Sequence, residues 1–313
     1  MTVSRIAVVL ALSAGLVAPA SAQESEECRS LVFSDVGWTD ITATTALATT
    51  VLDALSYETE IKVLSVPVTF TGLSTDDIDI FLGTWMPTME ADIAPYREAG
   101  TVEDVRVNLT GAKYTLATNK AGADAGITTF DAIAAQKDAL DGKIYGIEPG
   151  NDGNRLLLEM VAEDKFGLGT FEVIESSEQG MLAQVARADG AGEPVVFLGW
   201  EPHPMNANFE LTYLEGGDDV FGPNLGGAEV HTVTRAGLSE DCPNIGKFLT
   251  NLQFTLPMEN EVMGAILDDG QAPDAAATEW LKANPDAAAG WLDGVTTVDG
   301  GDAQAALDEA LAS

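Results

Sequence analysis

The sequence predicts an α/β protein with two lobes, and three observations favour this fold class. Short apolar runs alternate with longer helical segments along most of the chain, which is typical of a doubly wound, mainly parallel sheet flanked by helices. The alternation restarts after about residue 113, which indicates a second lobe. Cys28 and Cys242, the two cysteines, lie far apart in the chain, so a disulfide between them would place both ends in one lobe.

The N-terminus has the pattern of a secretory signal peptide. One positive charge at Arg5 precedes an apolar run over residues 6–17, and small residues at 20–22 form a cleavage site. We therefore expect residues 1–22 to be removed on export and the mature protein to be periplasmic. In that oxidising compartment we expect the cysteine pair to form a disulfide.

The first part of lobe 1 is predicted to occupy residues 23–112. Its predicted strands are residues 31–34, 60–66 and 78–82. Its predicted helices run from a cap at Thr39 or Asp40 to about residue 55, and from 88 to 99.

Lobe 2 is predicted to occupy residues 113–209, and residues 210–313 return to lobe 1. Strand 113–118 carries the chain across, followed by strands 143–147, 171–174 and 194–200 and helices 130–140, 154–166 and 178–188. Residues 209–214 lead the chain back, strand 230–234 rejoins the first sheet, and helices follow from residue 243.

The charge balance argues against several classes of partner. The chain has 50 acidic and 15 basic residues, so phosphate-rich nucleic acids and anionic membranes would be repelled. No nucleophile-elbow serine or phosphate-binding loop occurs, and the two histidines, His203 and His231, lack metal-ligand spacing. We expect no enzyme activity, no cofactor and no metal. His203 lies between two prolines, so we interpret it as a structural turn residue.

The aromatic residues are the most informative feature. The run 194–200 begins with Pro194 and is followed by Pro202, and it predicts a buried strand with Trp200 at its end. Trp38 and Trp85 each follow a predicted strand, and Tyr114 lies at the crossing into lobe 2. Ligands of open α/β folds bind at the carboxyl ends of strands. We therefore interpret these four rings as one box around a cation, although a single aromatic residue is more often part of a core.

Two polar residues complete the predicted site. Ring faces attract a quaternary ammonium ion, which has no N–H group to donate to ordinary polar sites. Asp40 and Asn151 can each bind a ligand hydroxyl, although each is also suited to cap a helix. The charge of Asp40 would repel a ligand carboxylate, which favours choline over glycine betaine.

Five motifs, in order along the chain, resemble the periplasmic choline-binding branch of the glycine betaine-type substrate-binding proteins of bacterial ABC importers. They are residues 35–40, 83–87, 113–114, 148–152 and 198–203. The resemblance covers essentially the whole mature chain. It implies a type II periplasmic binding protein, in which two α/β lobes joined by a hinge enclose the ligand.

The same resemblance assigns roles to individual residues. It implies an aromatic box of Trp38, Trp85, Tyr114 and Trp200, with Asp40 and Asn151 binding the choline hydroxyl. It also implies a disulfide between Cys28 and Cys242 within lobe 1.

The sequence therefore predicts a monomeric receptor that binds choline or a related quaternary amine and delivers it to the membrane permease of an ABC importer. Two alternatives stay open. In the first, a protein of the same fold binds glycine betaine or another trimethylammonium osmolyte. In the second, the protein is a secreted enzyme acting on a cationic substrate.

Overall fold

The computed structural model describes residues 25–312, so the predicted signal peptide lies outside the described residues. The strands of this part are β1 (Ser30–Asp35), β2 (Glu58–Val63), β3 (Ile80–Met86), β4 (Val102–Thr118), β5 (Lys143–Tyr145), β6 (Glu172–Ile174), β7 (Val196–Glu201), β8 (Thr212–Tyr213) and β9 (Gly227–Arg235). Among residues 25–312, no helix is long and apolar enough to span a bilayer.

The helices lie between and after these strands. They are α1 (Thr39–Ala54), α2 (Val66–Ser74), α3 (Glu90–Ala99), α4 (Lys120–Asp124), α5 (Phe130–Ile133), α6 (Asp152–Ala162), α7 (Glu178–Ala191), α8 (Met205–Asn208), α9 (Asp218–Phe221), α10 (Pro223–Gly226), α11 (Leu238–Asp241), α12 (Pro243–Asn251), α13 (Leu256–Leu267), α14 (Pro273–Ala283) and α15 (Ala303–Ala312).

One long strand, β4, joins two halves of a sheet with the order β2-β1-β3-β9-β4-β7-β5-β6, and β8 also pairs with β4. From Val102 to Lys113, β4 pairs antiparallel with β9, and from Lys113 to Thr118 it pairs antiparallel with β7. The parallel pairs lie farther out, between β1 and its neighbours β2 and β3 and between β5 and its neighbours β6 and β7.

We name the two halves by this change of partner at Lys113. The first half contains β1–β3, β9, residues 102–112 of β4, and helices α1–α3 and α11–α15. The second half contains residues 113–118 of β4, β5–β8 and α4–α10. β8 belongs to the second half because Thr212 and Tyr213 pair with Thr118 and Ala117. The lobe boundaries given above stay a prediction.

Local sequence explains two differences from the predicted elements. The predicted strand over 60–66 stops at Val63, and the unpredicted helix α2 starts at Val66. Pro67 suits the first turn of a helix because its missing N–H has no partner there, and Phe70 is fully buried against the core. Helix α1 begins at Thr39 with Trp38 as its N-cap, so the prediction that Thr39 or Asp40 is the cap was wrong.

A disulfide joins Cys28, just before β1, to Cys242, just before α12. The Cα atoms are 5.6 Å apart, and both cysteines are buried. The bond closes a loop over 214 positions of sequence, which includes the entire second half.

We expect the double variant Cys28→Ser/Cys242→Ser to lose about 2–5 kcal/mol of the free energy of unfolding, because the unfolded chain regains the freedom that the closed loop removes. Urea denaturation of both proteins under non-reducing conditions measures this difference. An unchanged midpoint and slope would contradict the stabilising role of the disulfide.

Candidate functional site

Five of the six predicted ligand-binding residues surround one small cavity between the two halves. The lining residues are Trp38, Asp40, Trp85, Tyr114, Ile147 and Trp200. The space that these residues enclose, counted together with its opening to solvent, is about 230 Å³. The cavity therefore suits a small ligand.

Strand register brings the rings together. Tyr114 on β4 and Trp200 on β7 are direct partners in the antiparallel ladder, so their side chains lie side by side. Trp85 is the penultimate residue of β3, and Trp200 is the penultimate residue of β7. The expectation that Trp85 follows its strand was therefore wrong, whereas Trp200 lies near the end of its strand. Trp38 does follow β1, and it precedes α1 directly.

The rings meet edge to face. The ring centroids of Trp85 and Tyr114 are 5.9 Å apart at 60°, and those of Tyr114 and Trp200 are 6.3 Å apart at 84°. Nε1 of Trp85 donates to Oδ2 of Asp40 at 3.1 Å, and Nε1 of Trp38 donates to Oε1 of Glu148 at 2.9 Å. Because both indole N–H groups already donate to carboxylates of the protein, neither needs an acceptor on a ligand.

Asp40 is the polar centre of the cavity. Only 1% of its surface is exposed, and its Oδ1 atom has no hydrogen-bond partner within residues 25–312. Burial, together with the nearby charge of Glu178, raises the pKa of Asp40 to about 8. A buried carboxylate with an unpaired oxygen is stabilised by any ligand that brings positive charge or a hydroxyl donor.

Other acidic side chains surround this cavity. Burial raises the pKa of Glu148 to about 7 and that of Asp152 to about 6. Burial and the proximity of Asp40 raise the pKa of Glu259 well above its ordinary value. Within residues 25–312, no group of three or more histidine, cysteine or acidic side chains is arranged to hold a metal ion. The acidic side chains next to the cavity make the site electrostatically suited to a cation.

The hydroxyl of Tyr114 lies against the backbone at the start of α6. A Cβ atom at Gly153 would stand only 1.9 Å from the hydroxyl oxygen, so glycine is required there for the ring to reach its place. Burial, followed by the charges of Asp152, Glu148 and Asp40, raises the pKa of this hydroxyl. The group therefore stays protonated beside the cavity.

Asn151 is the predicted site residue that does not line the cavity. It is the N-cap of α6, where its Oδ1 accepts from the N–H of Asn154 at 2.8 Å. Its Nδ2 donates to the carbonyl of Glu148. In this structure the side chain therefore caps a helix, and its contact with a ligand hydroxyl stays a prediction.

Sequence reasoning missed several residues of the site. Ile147 lies at the end of a predicted strand, and Glu148 opens one of the five motifs, so both had a local signal. Glu178 and Glu259 had none, because their proximity to Asp40 depends on how distant helices pack.

Three polar contacts connect the two halves around the cavity. Trp38 donates to Glu148, Thr39 donates to Glu178, and Arg155 donates to the carbonyl of Thr88 and to Asp92. In each contact one partner belongs to the first half and the other to the second. Together they join the two halves beside the cavity.

Comparison with known proteins gives close relatives. A solved ABC-transporter choline-binding protein in complex with choline is 68% identical, with a TM-score of 0.91 over 92% of this chain and 100% of that chain. An unliganded semi-closed structure of such a protein, also 68% identical over the same shares, has a TM-score of 0.85. The glycine betaine/carnitine transport binding protein GbuC of Listeria monocytogenes is 32% identical over 55% of this chain and 57% of that protein.

A family model also matches residues 29–283, which is most of the described chain. Its description is the substrate-binding domain of the ABC-type glycine betaine transport system, named OpuAC. The predicted fold class and the predicted resemblance are thereby confirmed. These relatives are transport proteins that bind substrates outside the cytoplasm, and this chain belongs to their family, the OpuAC substrate-binding domains.

Proposed function

We propose that this protein captures choline in the periplasm and delivers it to the membrane permease of an ABC importer. The observation that supports this most strongly is the buried Oδ1 of Asp40, which has no hydrogen-bond partner among residues 25–312 and lies in a cavity walled by four aromatic rings. The 68% identity to a protein solved with choline supports the same ligand. The signal-peptide pattern over residues 1–22 supports export to the periplasm.

The rings recognise the trimethylammonium group. Each aromatic face contributes roughly 0.5–2 kcal/mol to a cation that it contacts, and four faces together contribute up to about 8 kcal/mol before ordering losses. The quaternary nitrogen has no hydrogen to donate, so its positive charge is met by ring faces and by the carboxylate of Asp40. Ile147 adds apolar contact for the methyl groups.

Asp40 selects the other end of the ligand. Once the bound cation favours the ionised form of Asp40, its Oδ1, which has no partner among residues 25–312, accepts a hydrogen bond from the choline hydroxyl. The same charge would repel the carboxylate of glycine betaine. Glycine betaine is the alternative ligand because the family description names it. No catalytic step belongs to this proposal, since capture and release are sufficient for delivery.

Choline also favours the closed arrangement of the two halves. Trp38, Asp40 and Trp85 come from the first half, and Tyr114 and Trp200 come from the second. A ligand that contacts both sets binds the closed state best and shifts the population toward it. We propose that residue 113, where β4 changes partner, lies at the hinge.

We expect Trp200→Ala to weaken choline binding by about 30-fold or more, because it removes one ring face and part of the apolar wall. Isothermal titration measures the change. Trp280→Ala is the matched control, since Trp280 lies on α14, away from the cavity, and its indole N–H donates to Glu261. Equal affinity in both variants would contradict the aromatic box.

We expect Asp40→Asn to weaken choline binding and to reduce the preference for choline over glycine betaine. The Trp85 N–H needs an acceptor, so the amide oxygen turns to it and the amide N–H₂ faces the cavity. Competition titration with the two ligands measures the preference, and Asp53→Asn, farther along α1, is the control. An unchanged preference would rule out discrimination by Asp40.

We expect the unliganded protein to lose stability as the pH rises. The carboxyls of Asp40 and Glu148 have pKa values of about 8 and about 7 in the folded state, whereas both titrate near pH 4 when unfolded. Between about pH 4 and pH 8 the folded state binds more protons, so the free energy of unfolding falls as the pH increases. Thermal unfolding at several pH values measures this slope, which Asp40→Asn should reduce.

Choline affinity should change in the opposite direction. The cation favours ionised Asp40, so its affinity should rise between about pH 6 and pH 8 and its binding should release protons. Titration calorimetry in two buffers of different ionisation enthalpy counts these protons. An affinity that decreases over this range would contradict the role of the carboxylate.

A further inference from the structure

Glu178 of the second half reaches across the cleft to Thr39 of the first half. Its Oε2 accepts from the backbone N–H of Thr39 at 2.8 Å, and its Oε1 accepts from the Thr39 hydroxyl at 2.5 Å. The side chain of Glu178 is fully buried. Both carboxylate oxygens of Glu178 therefore accept from Thr39, which lies between Trp38 and Asp40 in the sequence.

This contact caps α1 from the opposite half. The N-cap residue of α1 is Trp38, whose side chain makes no capping hydrogen bond. The first N–H groups of a helix have no partner within the helix, so Glu178 satisfies one that the first half leaves open. Glu178 is itself the first residue of α7. A buried carboxylate is stabilised where the positive ends of two helices meet it.

The same carboxylate holds His203, which in turn contacts the box. Nδ1 of His203 accepts from the N–H of Met205 at 2.9 Å, so the neutral ring carries its hydrogen on Nε2. That atom lies 3.2 Å from Oε1 of Glu178 and donates to it. The His203 ring stands at 70° to Trp200, with the ring centroids 4.8 Å apart.

We propose that Glu178 is a positioning residue that couples closure of the two halves to the arrangement of the aromatic box. Glu178 fixes the start of α1, where Trp38 is the N-cap and Asp40 is the second residue. It also fixes His203 against Trp200. A role for His203 beyond a structural turn follows from this connection. The inference rests on the proposed capture of choline and adds two residues that do not themselves line the cavity.

The contact forms only when the halves meet, so its loss acts mainly on ligand release. Association begins with the halves apart, and it depends little on a contact that is not yet made. Dissociation requires breaking it. Of the two other contacts between the halves, the ion pair of Arg155 and Asp92 has side chains that are 30% and 18% exposed, so water screens it more strongly.

The test is stopped-flow kinetics of choline binding, followed by tryptophan fluorescence, on Thr39→Val, Glu178→Gln and the double variant. We expect each single variant to raise the dissociation rate about tenfold and to change the association rate by less than about threefold. Because the two side chains bond each other, the double variant should be no worse than about the poorer single variant. Thr42→Val is the control, since its hydroxyl bonds Asp35 within the first half.

The variant His203→Gln tests the contact of His203 with Trp200 separately from the contact of Glu178 with Thr39. Glutamine can still donate to Glu178 but removes the ring from Trp200, so choline dissociation should quicken while the Thr39 amide keeps its protection from hydrogen exchange. In Glu178→Ala that amide should exchange about tenfold faster or more, whereas the Thr42 amide, which donates to the Trp38 carbonyl, should not change.

The outcomes distinguish this inference from the proposed function. Suppose that the wild type binds choline but Thr39→Val and Glu178→Gln leave the dissociation rate unchanged, or that their effects on this rate multiply in the double variant. Either outcome overturns the coupling and leaves the receptor function intact. If the Glu178 variants do not fold, an unchanged dissociation rate in Thr39→Val overturns it alone. If the wild type does not bind choline, the receptor function fails, and unprotected Thr39 amide exchange overturns the coupling independently.

Discussion

The structure depends on one unfavourable feature, a carboxylate buried among aromatic rings without a cation of its own. Asp40 has one oxygen bound to the Trp85 indole and one without a partner among residues 25–312. Desolvation would normally exclude such a group from a core. Its raised pKa is the measure of that cost. A ligand cation removes the cost, so the same burial that destabilises the empty site favours the bound one.

Both halves contribute side chains to this site because of the path of β4. That strand runs unbroken from Val102 to Thr118 and pairs first with β9 and then with β7. One ring of the box, Tyr114, lies one residue past the change of partner at Lys113. Trp85 on β3 and Trp200 on β7 therefore lie on opposite sides of this change of partner, and the box takes rings from both halves.

Much of this site could be predicted from sequence because the relevant signals are local. Trp85 and Trp200 lie at the ends of short apolar runs, and strand ends of α/β folds face ligands. The role of Asn151 as a helix cap was also a local alternative, and the hydrogen bond to Asn154 fits it. What local signals could not supply was packing. The start signal of α2, Ser65 followed by Pro67, lies at the end of an apolar run that favours a strand. Glu178 approaches Asp40 only through the meeting of α7 with α1.

The surplus of acidic residues has different effects at the surface and in the cavity. A net charge of −35 attracts any cation to the surface, from sodium ions to polyamines, so it raises encounter rates without selecting a ligand. Selection has to occur where water is excluded. There, an inorganic cation or a primary amine would lose hydration or hydrogen bonds that ring faces cannot replace. A trimethylammonium group loses little, because it makes no such hydrogen bonds. In the receptor that we propose, the rings would supply the specificity for the cation. The oxygen of Asp40 that has no partner among residues 25–312 would supply the specificity for the hydroxyl.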